Sequence, residues 1–181
     1  MSTFVTSLDQ SLLEYLFAHR DLATTLVFIN ISELGSTIFV CGIGLCIALV
    51  LALRHKIAYA IALAVSVLGA GATTLGLKEI VHRARPEAMY QAYIETGYSF
   101  PSGHATLAAA LYGSLTYFAW RMMPAGYKRN GLVLVFVTLI ALIVFSRLYL
   151  GLHYLSDVIA GLLVGGVFAW IGSVVAKKIE R

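Results

Sequence analysis

The sequence predicts an all-α membrane protein, a polytopic bundle of transmembrane helices. Three observations predict it. The 181 residues are 60% hydrophobic and only 12% charged, about half the roughly 25% charged share of soluble globular chains. The apolar residues fall into runs close to the roughly 20 residues that a bilayer crossing needs. Polar and charged side chains gather between those runs, and mean hydropathy is +0.86. The length suits one domain, residues 1–181.

Residues 1–35 are apolar but interrupted by Glu14, His19, Arg20, Asp21 and Glu33. They read as an amphipathic helix along the interface followed by a short dipping segment. The transmembrane core is expected over residues 36–176. Its five spans are 36–53, 57–77, 105–120, 132–150 and 158–176; a sixth would have to come from the N-terminal stretch. Cys41 and Cys46 lie in the first span, five residues apart and on different helix faces, and read as unpaired, buried packing thiols. Arg54-His55-Lys56 forms a tight turn, and the Pro/Gly-containing run at 121–130 forms another. Gly161 and Gly165 stand at GxxxG spacing, which reads as close helix packing in preference to dimerisation. The one long loop is 78–101.

Loop charges set the orientation. One side receives Arg54, Lys56, Arg121, Lys128, Arg129, Lys177, Lys178 and Arg181, and the other Arg20, Lys78, Arg83, Arg85 and Arg147. The excess on the first side places the C-terminus in the cytoplasm, and the 78–101 loop and 147–157 turn outside. The basic balance is explained by these flanking cations. It gives no nucleic-acid signal, and no obligate protein partner is indicated.

Three polar clusters interrupt the apolar chain, and the topology brings all three to the outer face. They are "KEIVHRARP" from Lys78, "PSGH" from Pro101 to His104, and "SRLYLGLHYLSD" from Ser146 to Asp157. Lys78, Arg85 and Arg147 are cations on the side where cations are disfavoured, so an anion should offset them. Ser102 is placed to cap the following helix, leaving the N–H groups of Gly103 and His104 outward. A helix N-terminus with a glycine admits an anion closely. Together these groups describe a phosphate cradle. His153 and Asp157, four residues apart, can share a helix face. The carboxylate would take the Nδ1 proton and leave Nε2 free to attack. His104, from another helix, would protonate the leaving group.

Each residue has a plainer reading in isolation. Lys78 and Arg85 could snorkel to headgroups, Ser102 and Gly103 could simply begin a helix, and His153 with Asp157 could be a structural pair. Those readings leave unexplained why all fall on one side. A metal set of His104, His153 and Asp157 is disfavoured because three cations would repel the ion. His82 and Arg83 read as headgroup contacts, Tyr90, Tyr93 and Tyr98 as interfacial anchors, and Glu87 and Glu95 as solvated loop charges.

Lys-x6-Arg-Pro (Lys78 to Pro86), Pro-Ser-Gly-His (Pro101 to His104) and Ser-Arg-x5-His-x3-Asp (Ser146 to Asp157) resemble the three-part signature of the type 2 phosphatidic acid phosphatases. That superfamily includes undecaprenyl-pyrophosphate phosphatases and soluble vanadium haloperoxidases. The resemblance implies a helical core, a phosphohistidine at His153 oriented by Asp157, and protonation by His104. It implies phosphoryl binding by Lys78, Arg85, Ser102, Gly103 and Arg147, with no metal and no cofactor. Membrane members typically have six spans, one more than the five read here. The expected activity is hydrolysis of a lipid phosphomonoester or pyrophosphate at the outer membrane face. Undecaprenyl pyrophosphate is the first candidate, then phosphatidylglycerol phosphate or phosphatidic acid. The partners are thus the lipid substrate and the surrounding membrane lipids. Phosphate transfer to another acceptor is the alternative, and anion transport a weaker one, because a transport site should lie near the midplane.

Overall fold

The computed structural model describes residues 3–180, and those residues contain helices and no strands. The helices are α1 (Thr3–Ala18), α2 (Leu22–Glu33), α3 (Thr37–Leu53), α4 (Ile57–Val81), α5 (Gly103–Met122), α6 (Tyr127–Tyr149) and α7 (Leu155–Ile179), with one 3-10 turn at Ala88–Tyr90.

Their boundaries follow local chemistry. Asp21, in an extended conformation, accepts from the Thr24 amide and starts α2, and Ser36 does the same for α3 through the Phe39 amide. α4 stops at His82, which adopts the left-handed conformation. Between α6 and α7 the chain reverses through Gly151 at φ +68°. A Cβ there would stand 2.1 Å from the Tyr90 carbonyl oxygen, so both conformation and space demand glycine.

Three helices, α4, α6 and α7, are each long and apolar enough to cross a membrane. A fourth crossing arises if α2 and α3, bent by 43° at their junction, count as one. The expected free-standing span at 36–53 is thus the second arm of a bent pair. The expected span at 105–120 falls within α5, which does not meet the same test of apolarity. α5 is the central helix, packed on α4, α6 and α7, and residues 105–112 are buried. Covered by neighbours, it carries Thr106, Ser114 and Thr116, whose hydroxyls donate to backbone carbonyls one turn back and need no lipid-facing apolar surface.

α2 packs against the C-terminal end of α6. The Asp21 amide donates to the Tyr149 hydroxyl, while Gly35, just beyond α2, sits against Ile143 and the backbone of His104. α1 packs on α6 and α7. Cys41 and Cys46 are free. They are also exposed, contrary to the expected burial, because the buried residues of α3 are Val40 and Gly44.

Gly161 and Gly165 fit α7 to α5. A Cβ on Gly161 would lie 2.7 Å from the Ser102 carbonyl oxygen, and one on Gly165 2.2 Å from that of Thr106. The small-residue spacing is therefore occupied within the chain. Two turns beyond Gly165, a Cβ on Gly172 would lie 2.6 Å from the Ala62 carbonyl oxygen of α4. Gly165→Ala should lower thermal stability by about 1–3 kcal/mol, because the obstructing atom is backbone. A melting temperature in detergent equal to wild type would contradict this packing.

Candidate active site

The three polar clusters meet at the end of the bundle where α5 and α7 begin. The loop after α4 closes on itself through Ser99 N to Arg83 O and on the end of α6 through Ala92 N to Leu150 O, while Ser102 N at the mouth of α5 donates to Asp157 O of α7, all at 2.9–3.0 Å.

Arg147, near the end of α6, is fully buried. Its Nη1 donates to Ser32 Oγ of α2 at 2.7 Å and to the Tyr93 hydroxyl at 3.0 Å, and its Nη2 pairs with Glu95 Oε2. Arg85 Nη2 holds the other oxygen, Glu95 Oε1, at 3.0 Å. Arg85 Nη1 donates to Leu152 O at 2.9 Å and approaches His153 Nε2 at 3.2 Å. Lys78 Nζ donates to Tyr98 O, within the electrostatic field of Arg85, Glu95 and Arg147. The cradle thus already grips an anion, the carboxylate of Glu95.

His153 is 1% exposed. Guanidinium has only donors, so the Arg85 contact makes Nε2 the acceptor and leaves the ring proton on Nδ1. Nδ1 stands 3.5 Å from Asp157 Oδ2, longer than a hydrogen bond, and has no other partner. Burial, then the Arg147 and Arg85 charges, push the imidazole well below the ordinary histidine range. At neutral pH it is uncharged, with its lone pair beside the anion position.

Ser102 occupies the N-cap position of α5, but its side chain makes no capping bond. Its Oγ is buried without a partner. The expected cap is therefore absent, and the hydroxyl is uncommitted at the helix mouth. Gly103 opens α5, and a Cβ there would meet nothing within 4 Å. His104 follows, its ring in the field of Arg147, His153, Arg85 and Lys78.

All eight residues singled out by the sequence therefore lie at this one end of the bundle. Others were missed. Glu95, expected as a solvated charge, is the internal counter-ion of Arg85 and Arg147. Tyr93, expected as an interfacial anchor, accepts at its hydroxyl from Arg147. Arg83, expected at headgroups, binds Asp157 and Asp9. A signal existed for Glu95 and for Asp9, the partner of Arg83: three cations gathered at one end of the bundle require a nearby acid, and Asp9 is an acid on the same helix face as the buried Leu13 and Leu16.

The family model described as the PAP2 superfamily matches residues 59–181. The chain belongs to this family. PAP2 relatives include phosphatidylglycerophosphatase B of Bacillus subtilis (strain 168), 35% identical over 106 residues, which are 58% of this chain and 52% of that protein. Another is a lipid A 1-phosphatase of Rhizobium etli, 31% identical over 111 residues, 56% of this chain and 44% of that protein. The chain spans about half the length of the curated relatives it matches. A crystal structure of a transmembrane PAP2-type phosphatidylglycerolphosphate phosphatase from Bacillus subtilis superposes with a TM-score of 0.90 at 24% identity, covering 99% of this chain and 90% of that one. Aquifex aeolicus LpxE superposes at 0.72 and 18% identity, covering 92% and 95%. These two likenesses establish the PAP2 fold.

Burial pushes the Glu95 carboxyl up, but Arg147 and Arg85 outweigh it and hold the group below the usual carboxylate range. A carboxyl depressed in the fold stabilises fully above its unfolded value, about 4.3, and loses that contribution as pH falls through the folded value. Glu95→Gln should therefore melt below wild type at pH 7, and the gap should close as pH drops below about 4. A gap unchanged across that range would show that Glu95 is not ionised in the cradle.

Proposed function

We propose that this PAP2 protein is a lipid phosphatase working through a phosphohistidine on His153. The observation that carries the reading is the Glu95 carboxylate shared by Arg85 and Arg147 next to an uncharged Nε2. A phosphoryl group has the same charge sign and more oxygens, and in Glu95's place it would meet those guanidiniums, Lys78, the free Ser102 hydroxyl and the Gly103 amide. Nε2 then attacks phosphorus, the bond to the lipid or pyrophosphate oxygen breaks, and His104 protonates the departing oxygen. Asp157 closes on Nδ1 as positive charge develops. In the second step water, deprotonated by His104, attacks the phosphohistidine and releases phosphate and free His153.

Electrostatic stabilisation by the cradle is the largest contribution, with each well-placed donor worth about 3–4 kcal/mol. Three side-chain cations supply the charge that a metal would otherwise bring, so the reaction is proposed to need none. The relatives' names move phosphatidylglycerol phosphate to the head of the candidates, ahead of undecaprenyl pyrophosphate and phosphatidic acid. The site is proposed to face outward with the C-terminus cytoplasmic, in keeping with the loop charges. Five crossings, with α2–α3 as the first and α5 among them, agree with α1 and the start of α2 lying at the site's own end.

The test is phosphate release by the detergent-purified protein from each of the three lipids, with chelator present. Wild type should release phosphate and carry an acid-labile, alkali-stable label from radioactive substrate. His153→Ala should do neither, and Arg85→Gln should lose about 10²–10³-fold in kcat. Undiminished release by His153→Ala would remove His153 as nucleophile, and loss of wild-type activity with chelator would overturn the metal-free reaction.

A further inference from the structure

A second charge cluster lies behind His153, away from the cradle. Arg83 Nη1 donates to Asp157 Oδ1 at 2.6 Å and to Ser156 Oγ at 2.6 Å, and its Nη2 pairs with Asp9 Oδ2 at 2.7 Å. Ser156 Oγ donates to the same Asp9 oxygen at 2.5 Å, and Ser156 N donates to Asp9 Oδ1 at 2.9 Å. The Arg83 guanidinium also lies over the Tyr154 ring, 4.3 Å from its centroid. Asp9 is 3% exposed and Asp157 0%. No side-chain atom of Asp9, Arg83, Ser156 or Asp157 is buried without a partner, and the cluster joins α1, the long loop and the first turn of α7.

The arrangement constrains Asp157 in two ways. Its Oδ2 accepts from Tyr154 N at 2.9 Å, and the same oxygen faces His153 Nδ1. The Tyr154 amide holds Oδ2 and Arg83 holds Oδ1, so the Arg83 bond fixes the second oxygen and resists a turn of the carboxylate that would carry Oδ2 away from the imidazole. Arg83 alone would also neutralise Asp157 and weaken its hold on an imidazolium. Asp9 answers that charge, so the three groups together keep one net negative charge behind His153. The Arg83 guanidinium bonds Ser156, Asp157 and Asp9, none of which belongs to the cradle.

We infer that Arg83, balanced by Asp9 of the N-terminal helix, is a positioning residue that acts on His153 through Asp157. The inference rests on the phosphohistidine reading above. α1 is then a working part of the active site. Partners that orient a reacting or ligating histidine are typically worth about 10–100-fold in activity. That loss should fall on kcat, leaving KM unchanged, since Arg83 does not hold the phosphoryl group.

The experiment is a double-mutant cycle with phosphatidylglycerol phosphate. It compares Arg83→Gln, Arg83→Lys, Asp9→Asn, Asp157→Asn and the double variant Arg83→Gln with Asp157→Asn. A second readout follows the ¹⁵N shift of His153 Nδ1 in histidine-labelled protein, which needs no turnover. Arg83→Gln should cost about 10–100-fold in kcat alone, Asp9→Asn less, and Arg83→Lys should restore part. In the Asp157→Asn background the Arg83→Gln cost should vanish, because the two act as one unit. The Nδ1 shift should move in Arg83→Gln and Asp157→Asn alike. Full additivity, a loss confined to KM, or an unmoved Nδ1 shift would each overturn the inference. A wild type that releases no phosphate but shows the expected Nδ1 shifts would instead sink the phosphatase reading and leave the positioning role intact.

Discussion

The structure turns on the burial of positive charge at one end of an apolar bundle. Arg147 is fully enclosed, and removing an ion from water costs several kcal/mol even after relaxation unless charge and hydrogen bonds are returned. Arg85 and Lys78 lie beside it. Much of the surrounding architecture supplies what these three lack: a carboxylate from the long loop, the Ser32 hydroxyl from α2, the Tyr93 hydroxyl, and backbone carbonyls of Gly97, Tyr98 and Leu152. The loop is ordered because the cations need its oxygens. An anion site built this way would be preorganised: under the proposed function a ligand would replace one internal anion without having to assemble the donors itself.

Bringing the cations together depends on how close the helices approach. In a bilayer, lipid tails compete with apolar side chains on equal terms, so small residues and backbone contact decide packing. The glycines of α7 do this against α5 and α4, where three carbonyl oxygens lie within 2.2–2.7 Å of where a Cβ would be. The contact at Gly161 reaches Ser102 itself. The first turns of α5 and α7 are consequently fixed against each other, and the Ser102 amide bonds directly to the Asp157 carbonyl. Helix packing and site geometry are here the same set of contacts.

Charge is arranged in two layers around His153. In front, burial and then the positive field of Arg147 and Arg85 keep the imidazole neutral. Behind, Asp157, Arg83 and Asp9 leave a net negative charge on the Nδ1 side. Opposite signs on the two sides of one ring polarise it along the direction in which a phosphoryl group would be accepted. The second layer draws on α1, so the N-terminal helix contributes electrostatics as well as surface.

The sequence by itself determined the all-helical membrane class, the family, and which eight residues gather at one end. Those features depend on short-range geometry: apolar runs of spanning length, a helix beginning after Ser102, and a histidine and aspartate one turn apart. It also foretold the tight fit of Gly161 and Gly165. Only the tertiary structure decided that Glu95 sits in the cradle, that Arg83 and Asp9 stand behind Asp157, that Ser102 leaves its hydroxyl free, and that α2 and α3 form a bent pair. The physical reason is reach. A long charged side chain in a loop can meet any partner within several ångströms, and its choice follows from the free energy of every buried charge at once. Local spacing carries no record of that sum.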